Sequence, residues 1–343
     1  MKKILYMTAI AAMAIVSCTK DNTKEVNLGQ AIDFRVATTR ATETNIENLD
    51  KIWVTAVSET ATNHFTKVEF AKDGNYFVTP NAYYWPADGS NLTFYSYAPY
   101  ENSIGCEDVT IDGTAQKITG FAPATAVKDQ IDLITCVTTG NKNTCQGGVE
   151  LLFDHALSQI EIQAYSNNAG YVQKVKGVRI GKVGSKGDYD FGLRGWDLSG
   201  EKADYEITFE TPVTLEAAAQ SIMGSEGNAM LIPQTLTPWD QEGDKENTNE
   251  GTYVAVLINI ETVDGALVFP ETRGEYAWSA FPLEAEWVRG FKYIYKLDFT
   301  EGAGFVEPGP EGGEEVMGGK IKFTHYIYGW STSDPTDTDI EME

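Results

Sequence analysis

Basic residues are scarce in this sequence. Lys and Arg number 26 against 50 Asp and Glu, so the formal net charge is −24 over 343 residues. That balance excludes a nucleic-acid binder, because a phosphate backbone requires a basic face. It suits a self-repelling exterior instead. Histidine is scarcer still, with three residues. His64 lies in a polar turn, and His325 has no carboxylate or cysteine at ligand spacing, so no zinc pattern exists. His155 stands in Phe153-Asp154-His155-Ala156-Leu157-Ser158. Asp154, His155 and Ser158 can be drawn as a catalytic trio, but triad members converge from separate elements. A structural histidine bonded to nearby backbone is the better reading.

Other chemistry is equally thin. Asp188 and Asp190 sit on one strand, too close together to flank a sugar as paired carboxylates do. The acidic residues between 240 and 250 lack the glycine and closing acid of a calcium loop. Gly184-Ser185-Lys186-Gly187 reads as a turn and not a phosphate cradle. No catalytic residue, metal or cofactor is expected, and an enzyme is the weakest of the functional classes. Cysteine numbers four. Setting Cys18 aside, Cys106, Cys136 and Cys145 are an odd set that cannot all pair internally. Cys136 and Cys145 can bridge the turn at 138–141 if the flanking strands align, but three reduced thiols is the preferred reading.

Long hydrophobic runs and helical periodicity are also missing. The apolar run at 4–16, behind Lys2 and Lys3, is too short for a spanning helix of about 20 residues and reads as the core of a signal peptide, residues 1–17. No later stretch is long and apolar enough to cross a bilayer. Short strands dominate, at 51–57, 66–70, 76–78, 92–99, 130–135, 172–183, 189–198, 205–209, 228–234, 253–262, 293–299 and 320–330. The run 149–165 turns to strand in its second half. One helical turn is expected at 217–220, and 302–319, rich in Gly, Pro and Glu, reads as a flexible loop with nothing to pack. The fold class is all-β, sandwich type. The Gly147-Gly148 break divides it into an N-terminal sandwich, 41–147, and a C-terminal one, 148–330, before an acidic tail, 331–343.

The segment between the signal and the first sandwich is the most informative. Ile15-Val16-Ser17-Cys18 resembles a bacterial lipobox, in which Cys18 would carry lipid, palmitate included, and become the new N-terminus. Thr19-Lys20-Asp21-Asn22 resembles the polar, acidic tag that sends some lipoproteins to the cell surface. Further on, Ile32, Phe34 and Val36 alternate with Asp33, Arg35 and Ala37, the period of a half-buried strand. Thr38-Thr39-Arg40-Ala41 follows, small and polar around one arginine. A strand ahead of a cleavable site reads as a strand meant to be removed, making 18–40 a lipidated propeptide. Its rival is that Arg40 is an ordinary turn residue.

The order of features resembles one family. After the lipobox and the Thr-Arg-Ala site come Ile52-Trp53-Val54, Tyr84-Trp85-Pro86, Leu92-Thr93-Phe94-Tyr95-Ser96-Tyr97, the Phe153 to Ile160 segment and Leu231-Ile232-Pro233-Gln234. Trp287 with Gly290 and Tyr293, and a last strand closing on Trp330, complete the set. This is similar to the fimbrillin family of Bacteroides-type bacteria, the type V pilins. The resemblance implies two tandem transthyretin-like β-sandwich domains, export as an outer-membrane lipoprotein, and cutting between Arg40 and Ala41 by a trypsin-like, arginine-specific surface protease. Losing the first strand would leave unmade backbone hydrogen bonds, each worth about 1–3 kcal/mol when buried. A strand donated by another pilin subunit would restore them.

The candidate donor is 320–330, through Ile321, Phe323 and Ile327; the alternative is that it completes its own domain. Without donation the chain would be a tip or accessory subunit, and without cutting an anchor. Adhesion to a host or bacterial surface ligand follows from the same resemblance. The competing class is a surface glycan-binding lipoprotein of a polysaccharide-uptake system, using Tyr83, Tyr84, Trp85, Trp196, Trp239 or Trp330 as stacking platforms. Packing in cores and turns is the preferred role for any one of these rings.

Overall fold

The computed structural model describes residues 31–36, 49–240, 250–306 and 313–330. Cys18, Arg40, Ala41 and the acidic tail lie outside the described residues. The first ten strands are β1 (Phe34–Val36), β2 (Lys51–Ser58), β3 (Asn63–Asp73), β4 (Tyr76–Val78), β5 (Leu92–Ala98), β6 (Asp108–Ile111), β7 (Gln116–Phe121), β8 (Ile134–Gly140), β9 (Val149–Leu151) and β10 (Asp154–His155). Next come β11 (Ser158–Tyr165), β12 (Tyr171–Gly184), β13 (Gly187–Asp190), β14 (Gly195–Leu198), β15 (Lys202–Thr214), β16 (Gln220–Ser221), β17 (Ala229–Leu231) and β18 (Thr235–Leu236). The last are β19 (Tyr253–Thr262), β20 (Leu267–Phe269), β21 (Ala277–Pro282), β22 (Ala285–Glu286), β23 (Phe291–Asp298), β24 (Phe305–Val306) and β25 (Lys322–Gly329). Among the described residues the only helical segments are short 3-10 turns. The chain is all-β.

The first sheet has the order β10-β8-β5-β2-β3-β4-β1-β9. Its strands alternate between two cores, as a period of two requires. Leu92, Phe94 and Ala98 of β5 face one core with Ile52, Val54 and Ala56 of β2. Tyr95 and Tyr97 of β5, with Trp53 and Val57 of β2, face another. The sheet also curls. Phe34 on β1 lies 5.3 Å, ring to ring, from Phe94 on β5, although β4, β3 and β2 stand between them in strand order. The first core is therefore enclosed by the sheet itself.

Downstream, the order β15-β12-β19-β21-β24 forms one sheet and β16-β11-β23-β25 its partner. They close over a third core. Ile160, Ile162 and Ala164 enter it from β11, Val254, Val256, Ile258 and Ile260 from β19, and Tyr293, Tyr295 and Leu297 from β23. The opposite face of β19 is covered as well, because Tyr253 and Ala255 pack with Trp239. That explains why seven of the ten residues of this strand are buried.

A small sheet, β14-β13-β7-β6, links the two parts of the chain. β7 pairs with β13, for example Tyr189 opposite Ile118. Tyr189 is buried, and its hydroxyl lies 2.8 Å from Thr135 Oγ1, a residue of the first sheet. The Trp196 indole N–H donates to the Ala156 carbonyl at 2.7 Å. The first sheet also runs past Gly147-Gly148. Both β9 and β10 belong to it, and the chain leaves it only at Ala156 and Leu157.

Three local expectations are corrected. Residues 217–220 form no helical turn; Gln220 and Ser221 are strand, since a single isolated turn cannot repay its nucleation cost. The strand expected at 205–209 extends to Lys202–Thr214, held along its length by β12. The 302–319 segment is not loose where it is described. Ala303 and Val316 are buried, their backbones pair, and Phe305 packs edge-on to Trp239 at 6.1 Å. Gly304, at φ +84°, permits this because a Cβ there would lie 2.7 Å from the Ala280 carbonyl oxygen.

The shared small sheet predicts that the chain unfolds as one unit. Tyr189→Ala, which empties a large buried site, should lower stability by about 3–5 kcal/mol. Far- and near-UV circular dichroism should report one common melting transition, shifted downward. Two separate transitions, only one of them moved, would mean that the halves are independent.

Candidate functional site

The site is the slot that holds β1. Sequence explains the strand: Ile32 and Phe34 point inward and are buried, while Asp33 and Arg35 point away. β1 is nearly terminal in the described chain, yet it is not at the edge of its sheet. It runs antiparallel to β4, with Phe34 opposite Phe77 and Arg35 opposite Tyr76. On its other side it runs parallel to β9, with Phe34 opposite Val149, Arg35 opposite Glu150 and Val36 opposite Leu151. Ahead of the strand, the Ile32 amide donates to the Tyr83 carbonyl at 2.7 Å, and Ala31 bridges Tyr84. The Val149 amide donates to the Asp33 carbonyl at 2.7 Å.

The floor is aromatic. Phe34 meets Phe70 at 4.7 Å and Phe94 at 5.3 Å, both edge-to-face, the arrangement that ring quadrupoles favour. Phe77, Val149 and Leu151 belong to the same core. Gly148, at φ +93°, brings the start of β9 against β1, and a Cβ there would stand 3.3 Å from the Asp33 carbonyl oxygen. Outside, the Arg35 guanidinium donates to Glu150 at 3.2 Å, but both side chains are half exposed. Such a pair contributes about 0–1 kcal/mol. The slot is held by its two backbone ladders and by Ile32 and Phe34, each apolar side chain contributing about 1.5–3 kcal/mol.

One wall, β4, is the strand expected at 76–78, while β9, also three residues long, is not separated in the sequence reading from the apolar run 149–165. The only local hint of β9 is the alternation Val149-Glu150-Leu151 behind a glycine pair.

The candidate donor strand is at home in this structure. β25 pairs antiparallel with β23 over eight residue pairs, at one end of its sheet. Ile321, Phe323 and Ile327 are only partly buried against the third core. Trp330, just beyond, is buried and stacks on His155 at 3.9 Å with the planes 2° apart.

The remaining candidates resolve as structure. His155 Nδ1 donates to Asp132 at 2.7 Å, and not to nearby backbone as expected. Asp154 instead accepts from Arg194, and the Ser158 hydroxyl donates to the Val288 carbonyl, so the three do not converge. Cys106, Cys136 and Cys145 are free thiols, and burial pushes that of Cys136 up to about 12. Trp85, Trp239 and Trp330 are buried, and Tyr83 and Trp196 are half buried; Tyr84, at 55% exposure, is the one open ring of the six. Among the described residues no three His, Cys, Asp or Glu side chains cluster as metal ligands.

Known proteins match this architecture. A family described as fimbrillin-like matches residues 39–322. The fimbrium subunit Fim1C of Phocaeicola vulgatus is 28% identical over 186 residues, 45% of this chain and 49% of that protein, so the match spans about half the length of that relative. A solved fimbrial protein of Bacteroides vulgatus superposes with a TM-score of 0.63 at 17% identity, over 88% of this chain and 99% of its own. A solved candidate cell adhesion protein of Parabacteroides distasonis gives 0.50 at 11% identity, over 90% and 98%.

Truncating the anchor of β1 should be costly and truncating its rim should not. Phe34→Ala is expected to lose about 3–5 kcal/mol in urea unfolding, while Arg35→Ala loses under about 1 kcal/mol. Equal, small losses would show that β1 is not held by its aromatic socket.

Proposed function

The chain belongs to the fimbrillin-like family, and on that premise we propose that it is a structural subunit of a surface fimbria, a stalk or a tip or accessory pilin, serving adhesion. It is exported as a lipoprotein on Cys18 and reaches the outer membrane by that anchor. An arginine-specific protease cuts after Arg40, the residues 18–40 leave with β1, and another subunit's strand fills the slot. In this reading the mature chain carries two sandwich units in tandem.

The single observation that carries the reading is the double pairing of β1. A strand at the sheet's edge would leave one unpaired ladder when lost. β1 lies between β4 and β9, so its loss uncovers backbone on both and opens the Phe70–Phe94 floor. Unpaired strand edges over apolar surface recruit another strand. For the donor, β25 of a neighbouring copy fits best. Ile321 and Phe323 repeat the spacing of Ile32 and Phe34, and their partial burial at home makes departure cheaper. The glycan-binding alternative has less to rest on, because five of the six rings it would use are wholly or partly packed away.

N-terminal sequencing of fimbriae sheared from the producing cells should begin at Ala41. Arg40→Ala should keep the lipidated N-terminus and abolish polymer, and Cys18→Ser should abolish labelling by radioactive palmitate. Finding lipidated Cys18 on all surface-located chains would contradict the cleaved-pilin reading.

A further inference from the structure

A leucine is held in water by a built turn. The turn between β13 and β14 carries Leu193 with 84% of its surface exposed. The turn is built and not loose. The Asp190 carboxylate accepts from the Gly192 and Leu193 amides at 2.8 and 2.9 Å, and Arg194 occupies the left-handed region at φ +52° without being glycine. Such a conformation costs energy for a side-chain-bearing residue, so the turn holds the leucine in place at some expense.

Two other exposed apolar residues lie nearby in the fold. Arg194 and Arg289 both reach the same oxygen of Asp154, at 3.2 and 3.6 Å. That shared carboxylate brings together the turn bearing Leu193, the turn bearing Val288 (43% exposed) and the segment bearing Leu152 (52% exposed). Leu152 directly follows β9, which is a wall of the slot. β1 runs parallel to β9, so a strand seated in the slot leads toward Leu152. Two guanidiniums share one carboxylate here, and the neighbouring acids are engaged, Asp190 by its turn and Asp132 by His155. Two guanidiniums and the Asp154, Asp132 and Asp190 carboxylates thus ring the apolar knobs, a mixed and largely self-paired set of charges.

We propose that Leu152, Leu193 and Val288, with Arg194 and Arg289, form a second contact surface that seats the body of the next copy of this chain beside the slot. The proposal rests on the strand-exchange reading above and adds a site to it. The occupant is a second copy because the patch continues the slot wall that an incoming subunit would already touch. Exposed apolar residues rimmed by charged ones mark an interaction surface. The contact would fix the angle between successive subunits, which a strand in a slot leaves free to swivel.

The test uses the full-length chain in its producing cells. A photo-crosslinking residue, p-benzoylphenylalanine, replaces either Leu193 or, as a probe of the slot, Tyr76. Irradiated fimbriae should give cross-linked copies of the chain from both positions. Leu193→Asp should reduce polymer about tenfold, the loss of one interface anchor, with the thermal midpoint of the monomer unchanged. Cross-links from position 76 but none to a second copy from position 193 would overturn the surface and leave strand exchange standing. Native polymer yield from Leu193→Asp would also overturn the surface. Cross-links from neither position would overturn both, as would cross-links from position 193 to some other protein alone in the absence of any from position 76.

Discussion

The structure turns on one constraint: a three-residue strand near the start of the described chain is hydrogen-bonded on both sides. β4 and β9 are each too short to hold a sheet alone, and they are joined only through β1. Phe34 sets their separation by reaching past them to Phe70 and Phe94. Without β1 the two walls would stand about two strand spacings apart, roughly 10 Å, with the aromatic floor open between them. If β1 is replaceable, as proposed, the slot is expensive to leave empty and favourable to refill by a strand of matching spacing. In the proposed polymer, that free-energy difference replaces an external energy source.

The other end of the described chain complements this. β25 lies at the end of its sheet with its apolar residues only partly covered, whereas Ile32 and Phe34 are wholly buried in the slot. An Ile-x-Phe pattern moved from the first setting to the second gains buried area. Opposing the move, Trp330 is stacked on His155, a residue fixed by Asp132 in the first part of the chain. Between the slot and β25, the small sheet built from β6 and β7 with β13 and β14 ties the two parts through Tyr189, so that force applied at one end would be carried to the other.

Local period was enough to find most strands. The alternation in 51–57, 92–98 and 253–260 is visible residue by residue, and so is that of Ile32 and Phe34, because alternate residues of each strand face a given core. Period does not reveal partners. That β1 sits between β4 and β9, that β7 pairs with β13 across a long insertion, and that His155 bonds to Asp132 and not to its neighbour Asp154 all depend on contacts distant in sequence. The same limit explains the 302–319 segment. Its Gly-rich composition reads as slack, but its glycines permit a tight return past the Ala280 carbonyl that only the fold supplies. The fimbrillin resemblance added what spacing could not, by implying the class of protease and a strand donated by another subunit. That Phe77, Val149 and Leu151 line one slot became visible only in three dimensions.

The central claim is that removing β1 opens a slot that another strand can close. Hydrogen exchange at the amides of β4 and β9 measures this most directly, on the purified chain before and after cutting with an arginine-specific protease and washing away the released segment. The account predicts exchange at least about a hundredfold faster there, with the third core unchanged, and recovery of protection when a peptide of residues 320–330 is added. Unchanged protection in β4 and β9 after β1 has gone, or no recovery with the peptide, would contradict it.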